Sequence, residues 1–271
     1  MFPRNSSPVR LAAGLAALAL SAAAGAASVN VTVTIDNLVP ANGISFAPLH
    51  VGFNNGSFDA FNLGQTAGAA IVSVAEGGAG GAWQTAFGLA DPTATRGTIL
   101  GAGGIPPLLP GQSSSKQFTV DTTLNPFFTF ASMAVPSNDF FIGNDSPTEY
   151  RLFNAAGQLQ ISTIGIKANE IWDAGSEVFN PLKAAFLQIG SNNPRDAQNS
   201  VVAFNFAELA AFNGLTTAPG YVLNSTLGAT TDVYRISFAV APVPEPETYA
   251  LMMAGLLVVG SIARRRRAHR S

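Results

Sequence analysis

Polar and apolar residues alternate strictly near the start of the chain. Val29, Val31, Val33 and Ile35 fall on one side, and Asn30, Thr32 and Thr34 on the other. A period of two predicts a half-buried β-strand. Tyr234, Ile236, Phe238 and Val240 repeat the pattern near residue 240. Between them lie short apolar runs at 49–53, 118–121, 127–135, 151–153, 159–164, 185–189 and 201–205. Asn54-Asn55-Gly56, Asn192-Asn193-Pro194 and Asn213-Gly214 supply turn chemistry between such runs. Many short strands, frequent turns and little helix predict an all-β fold, an antiparallel sandwich of two sheets. The stretch Glu76 to Gly81 is Gly-rich but lacks the Lys-Ser/Thr of a phosphate cradle, and is expected to be a flexible loop. Gly101 to Ser115, with Pro106-Pro107 and Pro110-Gly111, is expected to be a connector.

Composition agrees with this pattern. Of 271 residues only 11% are charged, while Gly (27), Pro (17) and Phe (19) are abundant. The chain has no cysteine, which excludes disulfides, thiolate metal sites and cysteine nucleophiles.

The two ends read as addresses. Residues 1–27 form a secretory signal peptide: Arg4 and Arg10 open it, Leu11 to Ala24 is apolar, and Ala24-Gly25-Ala26 is a small-residue cleavage site. Residues 243–271 hold Pro244-Glu245-Pro246, then an apolar run from Tyr249 to Ala263, then Arg264 to Arg267. As a helix this run would reach about 22 Å. That is short of a hydrocarbon core of roughly 30 Å unless the flanking arginines snorkel. The arginines belong on the cytoplasmic side, which places the central domain outside the inner membrane. The order of Val243-Pro244-Glu245-Pro246-Glu247, apolar run and terminal arginines resembles the PEP-CTERM sorting signal of Gram-negative bacteria. The resemblance implies sorting by an exosortase, cleavage near the motif, transient residence in the inner membrane, and release to the surface or extracellular matrix.

Removing the ends changes the charge balance. Seven basic and fourteen acidic side chains remain in residues 28–242, leaving that domain about seven charges negative. It has no basic patch for nucleic acid. Acidic loops suit a divalent cation better.

Histidine chemistry has little material, because His50 and His269 are the only two histidines and His269 lies in the tail. His50 follows Pro48-Leu49 at a strand start and reads as a packed or capping residue; no nucleophile-elbow sequence accompanies it. Two acidic segments stand out. In the first, Met133-Ala134-Val135-Pro136-Ser137-Asn138-Asp139 leads from a hydrophobic strand into a turn. In the second, Trp172-Asp173-Ala174-Gly175-Ser176-Glu177 sets acids around a small-residue turn. Asn and Asp also occur in turns simply because their side chains bond nearby backbone N–H groups. At the loop end of a sandwich the same carboxylates form a candidate site for calcium, which prefers several oxygen ligands.

These two segments resemble motifs of the spondin N-terminal domain family. So do Ile35 to Phe61 and the Pro-rich Gly104-Ile105-Pro106-Pro107-Leu108-Leu109-Pro110-Gly111. The resemblance spans most of residues 28–242 and implies a C2-like antiparallel β-sandwich with a calcium site. Asp139 and Asp173 match the family's ligating carboxylates, and Glu177 matches an acidic motif position. A third family ligand aligns with Val120, beside Asp121. Either Asp121 serves after a one-residue shift or the site is reorganised, since a shift of one reverses the side-chain face.

The expected function is therefore that of a calcium-binding adhesion or structural protein at the cell surface or in the matrix, and not an enzyme. Extracellular polysaccharide or surface proteins are its expected partners. Two readings compete. One is a permanently anchored periplasmic binding domain. The other is a glycoside hydrolase using Asp139 and Asp173, whose carboxylates would then stand roughly 5–10 Å apart.

Overall fold

A computed structural model describes residues 28–189, 195–243, 253 and 255–257. The signal peptide, the Asn192-Asn193-Pro194 turn, the sorting residues Pro244, Glu245 and Pro246, and most of the C-terminal apolar run lie outside the described residues. Met253 and Gly255 to Leu257 are helical. No helix among the described residues is long and apolar enough to cross a membrane.

In chain order the elements are β1 (Ser28–Asn37), β2 (Ser45–Phe46), β3 (Leu49–Asn54), α1 (Ala69–Gly77), α2 (Gly81–Ala90) and β4 (Thr95–Ile99). Then come β5 (Ser113–Asp121), β6 (Phe127–Val135), β7 (Phe140–Gly143), β8 (Tyr150–Arg151), β9 (Thr163–Lys167), β10 (Trp172–Asp173), β11 (Ala203–Phe204) and β12 (Asp232–Pro242). They form two antiparallel sheets. The smaller has the order β5-β1-β12-β9. The larger has the order β11-β10-β7-β6-β3-β4, with β2 and β8 also on β6.

The two alternating strands find each other. β1 and β12 pair so that Val33 faces Phe238 and Ile35 faces Ile236. Their apolar sides turn inward and meet the larger sheet. Phe46 packs edge-on against Tyr234 with ring centroids 4.7 Å apart, and Phe128 against Phe238 at 4.9 Å. Val31, Val33, Phe118, Ile164 and Ile236 join Leu49, Val51, Phe130 and Ile142 in one buried core.

The larger sheet is covered on its outer face as well. Every residue of β3 is buried, as are eight of the nine in β6. This explains why 127–135 reads as a continuous apolar run instead of an alternating one. The second cover is a pair of helices. Ile71, Val74 and Ala75 of α1 and Trp83 and Phe87 of α2 pack with Phe58, Phe61, Phe141 and Trp172. Phe58 stacks on Phe87 at 4.2 Å.

Helix stays the minor component, as expected, but these two helices correct the expectation of a flexible loop at Glu76 to Gly81. Gly78 closes α1 in the left-handed conformation (φ 64°), its N–H bonding Val74 O at 2.7 Å, and Gly80 opens α2. A side chain is strained at that φ, so the glycines make a tight corner. His50 is buried against it as a packed residue. Nε2 meets the carbonyl of Gly78 at 3.0 Å, and Nδ1 meets Thr98 Oγ1 at 3.0 Å. Burial holds its pKa below the usual value.

Three strand expectations shift. The run at 159–164 yields β9 only from Thr163. The run at 201–205 shrinks to Ala203–Phe204. The run at 185–189 makes only isolated bridges, Ser137 with Ala185 and Leu187 with Thr217. Phe186 sits at φ 70°, which interrupts an extended segment there.

Candidate metal centre

The turn between β6 and β7 delivers Asp139. Ser137 Oγ donates to Ala134 O at 2.6 Å and accepts from Phe140 N at 3.1 Å, closing the turn with one hydroxyl. Asp139 is thus held at the mouth of β7. Across the ladder, Asp173 of β10 pairs with Phe140, the next residue. Two carboxylates 34 positions apart in sequence become neighbours on adjacent strands.

The next turn brings in the third acid. Asp173 Oδ1 accepts from Gly175 N at 2.7 Å. Gly175 has φ 64°, and a Cβ there would lie 2.7 Å from Val201 O, so glycine fits both the turn and the close approach. Residues 196–200 run antiparallel beside it: Ser200 N bonds Gly175 O at 2.8 Å, and Gln198 N bonds Ser176 O at 2.7 Å. Asp139 Oδ2 accepts from Ser176 N (2.7 Å), Ser176 Oγ (3.2 Å) and Glu177 N (3.0 Å). The Asp139 carboxylate therefore folds the Gly175–Glu177 turn onto itself and positions Glu177.

Asp139, Asp173 and Glu177 line one cavity of about 290 Å³, together with Glu208. Asp139 and Glu177 are only 2% and 4% exposed. Burial, reinforced by the Asp173 charge, raises the Asp139 carboxyl to about 6 against the pull of its three donors. Burial also raises Glu177, to about 7; the Asn138 hydrogen bond and Arg195 oppose this, while Glu76 and Asp139 add to it. Glu177 Oε1 accepts from Asn138 Nδ2 at 3.3 Å. Its Oε2 is buried without a hydrogen-bond partner, with Arg195 Nε at 3.8 Å. That guanidinium is committed elsewhere, to Glu76 at 2.8 Å.

Asp121 does not join this group. It ends β5 and caps the following turn, with Oδ1 accepting from Thr123 N at 2.9 Å and Leu124 N at 3.0 Å. That turn leads into the start of β6, whereas Asp139 follows its end. The nine residues of β6 put roughly 27 Å between the two ends. Val120 offers nothing in its place, since it is buried in the core between the sheets. Glu208 and Asn205 also line the cavity, though no acidic motif in the sequence marks them; Asn205 Nδ2 lies 3.4 Å from Asp173 Oδ2. The Asn205-x-x-Glu208 spacing at the start of the 3₁₀ turn Phe206–Phe212 is the one local signal for them.

The donor chemistry, all oxygen with one buried carboxylate oxygen unsatisfied, suits a hard cation. As the side chains stand, no three Asp, Glu or His residues among the described residues are arranged to hold a metal ion.

Residues 242–267 match the family model of the PEP-CTERM protein-sorting motif. The chain carries a PEP-CTERM sorting signal. It marks an exported protein of Gram-negative bacteria, recognised by exosortase and sorted to the cell surface. The PEP-CTERM match begins at the last residue of β12 and leaves the sandwich uncovered. A comparison with curated proteins finds no match.

Proposed function

We propose that this exported protein is a spondin-like binding module, displayed at the surface or in the matrix, whose acidic pocket takes calcium and whose role is adhesive or structural. The observation that carries the reading is the single cavity lined by Asp139, Asp173, Glu177 and Glu208, in which Asp139 and Glu177 are almost fully buried. Carboxylates gathered in this way repel one another and take up protons unless a cation neutralises them. Because no three of them yet converge, ion capture requires at least one carboxylate to swing toward the others. The bound ion would pin the Pro136–Asp139 and Gly175–Glu177 turns at one end of the sandwich. Extracellular polysaccharide or surface proteins remain the proposed partners. The tail is proposed to hold the chain briefly in the inner membrane before cleavage, and permanent anchoring is the alternative.

The raised carboxyl of Asp139 also suits a general acid, which favours the hydrolase reading. Its Oδ2, however, already accepts three protein donors, which leaves one oxygen for substrate. Binding is the reading we prefer.

Calorimetric titration of the full chain with calcium tests the proposal. One ion should bind with a dissociation constant of about 0.1–1 mM, and Asp173→Asn should weaken it strongly. No heat of binding, or equal binding by the variant, overturns the assignment.

A further inference from the structure

The rim of the acidic cavity differs in chemistry from its floor. Phe204 of the edge strand β11 lines it and is 47% exposed; Phe179 lines it and is 37% exposed. An exposed phenyl on a short edge strand is ordinarily mobile, but Phe204 is braced. It stacks on Trp172 at 3.9 Å with 25° between the rings, and Trp172 in turn packs edge-on to Phe61 at 5.1 Å. Trp172 is also fixed by its Nε1, which donates to Gly143 O at 2.9 Å. The result is a braced aromatic ring, stacked on Trp172 and partly exposed, at the rim of a polar cavity.

Apart from Gly175, Val201 and Ala203, the remaining lining residues carry hydrogen-bonding side chains. Gln198, Ser200 and Asn205 bring amides and a hydroxyl, while Asp139, Asp173, Glu177 and Glu208 bring carboxylates. About 290 Å³ lies at the small end of ligand pockets, enough for one ring and not for a chain.

We propose that this cavity binds a single neutral hexose unit of a polysaccharide, with the C–H face of the ring on Phe204 and its hydroxyls on the cavity groups. Such a sugar offers both halves of the required chemistry: an apolar face for the aromatic ring, and O–H groups that donate to carboxylates and accept from amides. Acidic sugars are disfavoured by the carboxylates that line the cavity. The inference deepens the binding-module reading by naming the ligand class, and it stands whether or not calcium occupies the floor.

Saturation-transfer NMR on the full chain tests it, using neutral hexose oligosaccharides and a uronic-acid oligosaccharide, each with calcium and with chelator. Transfer should appear on the ring C–H protons of the neutral sugar in both conditions and, in chelator, be absent for the uronate. Phe204→Ala should weaken binding about tenfold, as for truncation of a central aromatic contact, and Phe204→Trp should retain it. Should Phe204→Ala disturb folding through Trp172, Gln198→Ala, at an exposed rim position, should still weaken binding several-fold. Absence of transfer from any neutral sugar overturns the inference; if calcium nonetheless binds, the ion reading survives. Sugar binding in chelator supports the inference even where the ion reading fails. Equal binding by folded Phe204→Ala and the parent also overturns it.

Discussion

Asp139 Oδ2 accepts the backbone N–H of Glu177 at 3.0 Å, and both residues line the same cavity. One acid thus fixes the backbone of another and shares its electrostatic environment. Without a cation, that arrangement makes the fold sensitive to pH near neutrality.

The sign follows from the two raised carboxyls. Asp139 titrates at about 6 and Glu177 at about 7 in the folded chain, above their ordinary values of 3.8 and 4.5. The native state therefore holds more protons than the unfolded chain between about pH 4 and 7, and stability falls as pH rises through that window. The combined loss is on the order of a few kcal/mol. Denaturant unfolding at pH 4.5 and pH 7.5, in chelator, should show the parent less stable at the higher pH. Glu177→Gln should flatten the profile, and an equally steep profile in that variant would refute the assignment.

His50 contributes in the opposite direction. Burial holds its pKa low, so the unfolded chain takes up a proton first as pH falls below about 6.5, and stability is lost toward acid. Its ring ties β3 to Gly78 at the end of α1. Proton NMR of the ring should place the His50 titration midpoint below the ordinary value of 6.5. A titration midpoint at or above 6.5 would contradict the packing described.

The helical cover should be stiff. A Cβ on Gly52 would lie 2.1 Å from the Phe87 ring. Gly52→Ala is expected to cost about 1–3 kcal/mol by overpacking. In a Phe87→Leu background the added cost should shrink, because the two residues touch. Additive melting-point losses would argue that α2 does not rest on β3.

Processing of the tail is measurable on surface-recovered protein. If exosortase cleaves near Pro244-Glu245-Pro246, mass spectrometry should find no peptide containing Arg264 to Arg267. An intact Ser271 end would support permanent anchoring.

The sandwich was legible where one sheet face meets the core. Val31 to Ile35 and Tyr234 to Phe238 alternate because only one side of each is buried, and they turn out to be paired. The third layer was hidden because a strand buried on both faces looks the same whatever covers it. The helices themselves carry no acidic residue in the first turn and no basic residue in the last, and glycines punctuate their ends. Asp139 and Asp173 were flagged by their motifs, but no spacing shows that 139 and 173 meet; the β7–β10 ladder does that. Asp121 was selected by alignment with a position that proves to face the core, and Glu208 enters through a turn shaped by distant packing.

The most direct test of the central claim is thermal unfolding of the full chain at pH 7 with and without about 10 mM calcium. For a dissociation constant near 1 mM, the ion should stabilise by about 1.4 kcal/mol, a rise in Tm of about 3–6 °C. Asp173→Asn and Glu177→Gln should lose most of that rise, and Asp121→Asn, at the far end of β6, should keep it. Equal calcium responses in the parent and all three variants would contradict the account.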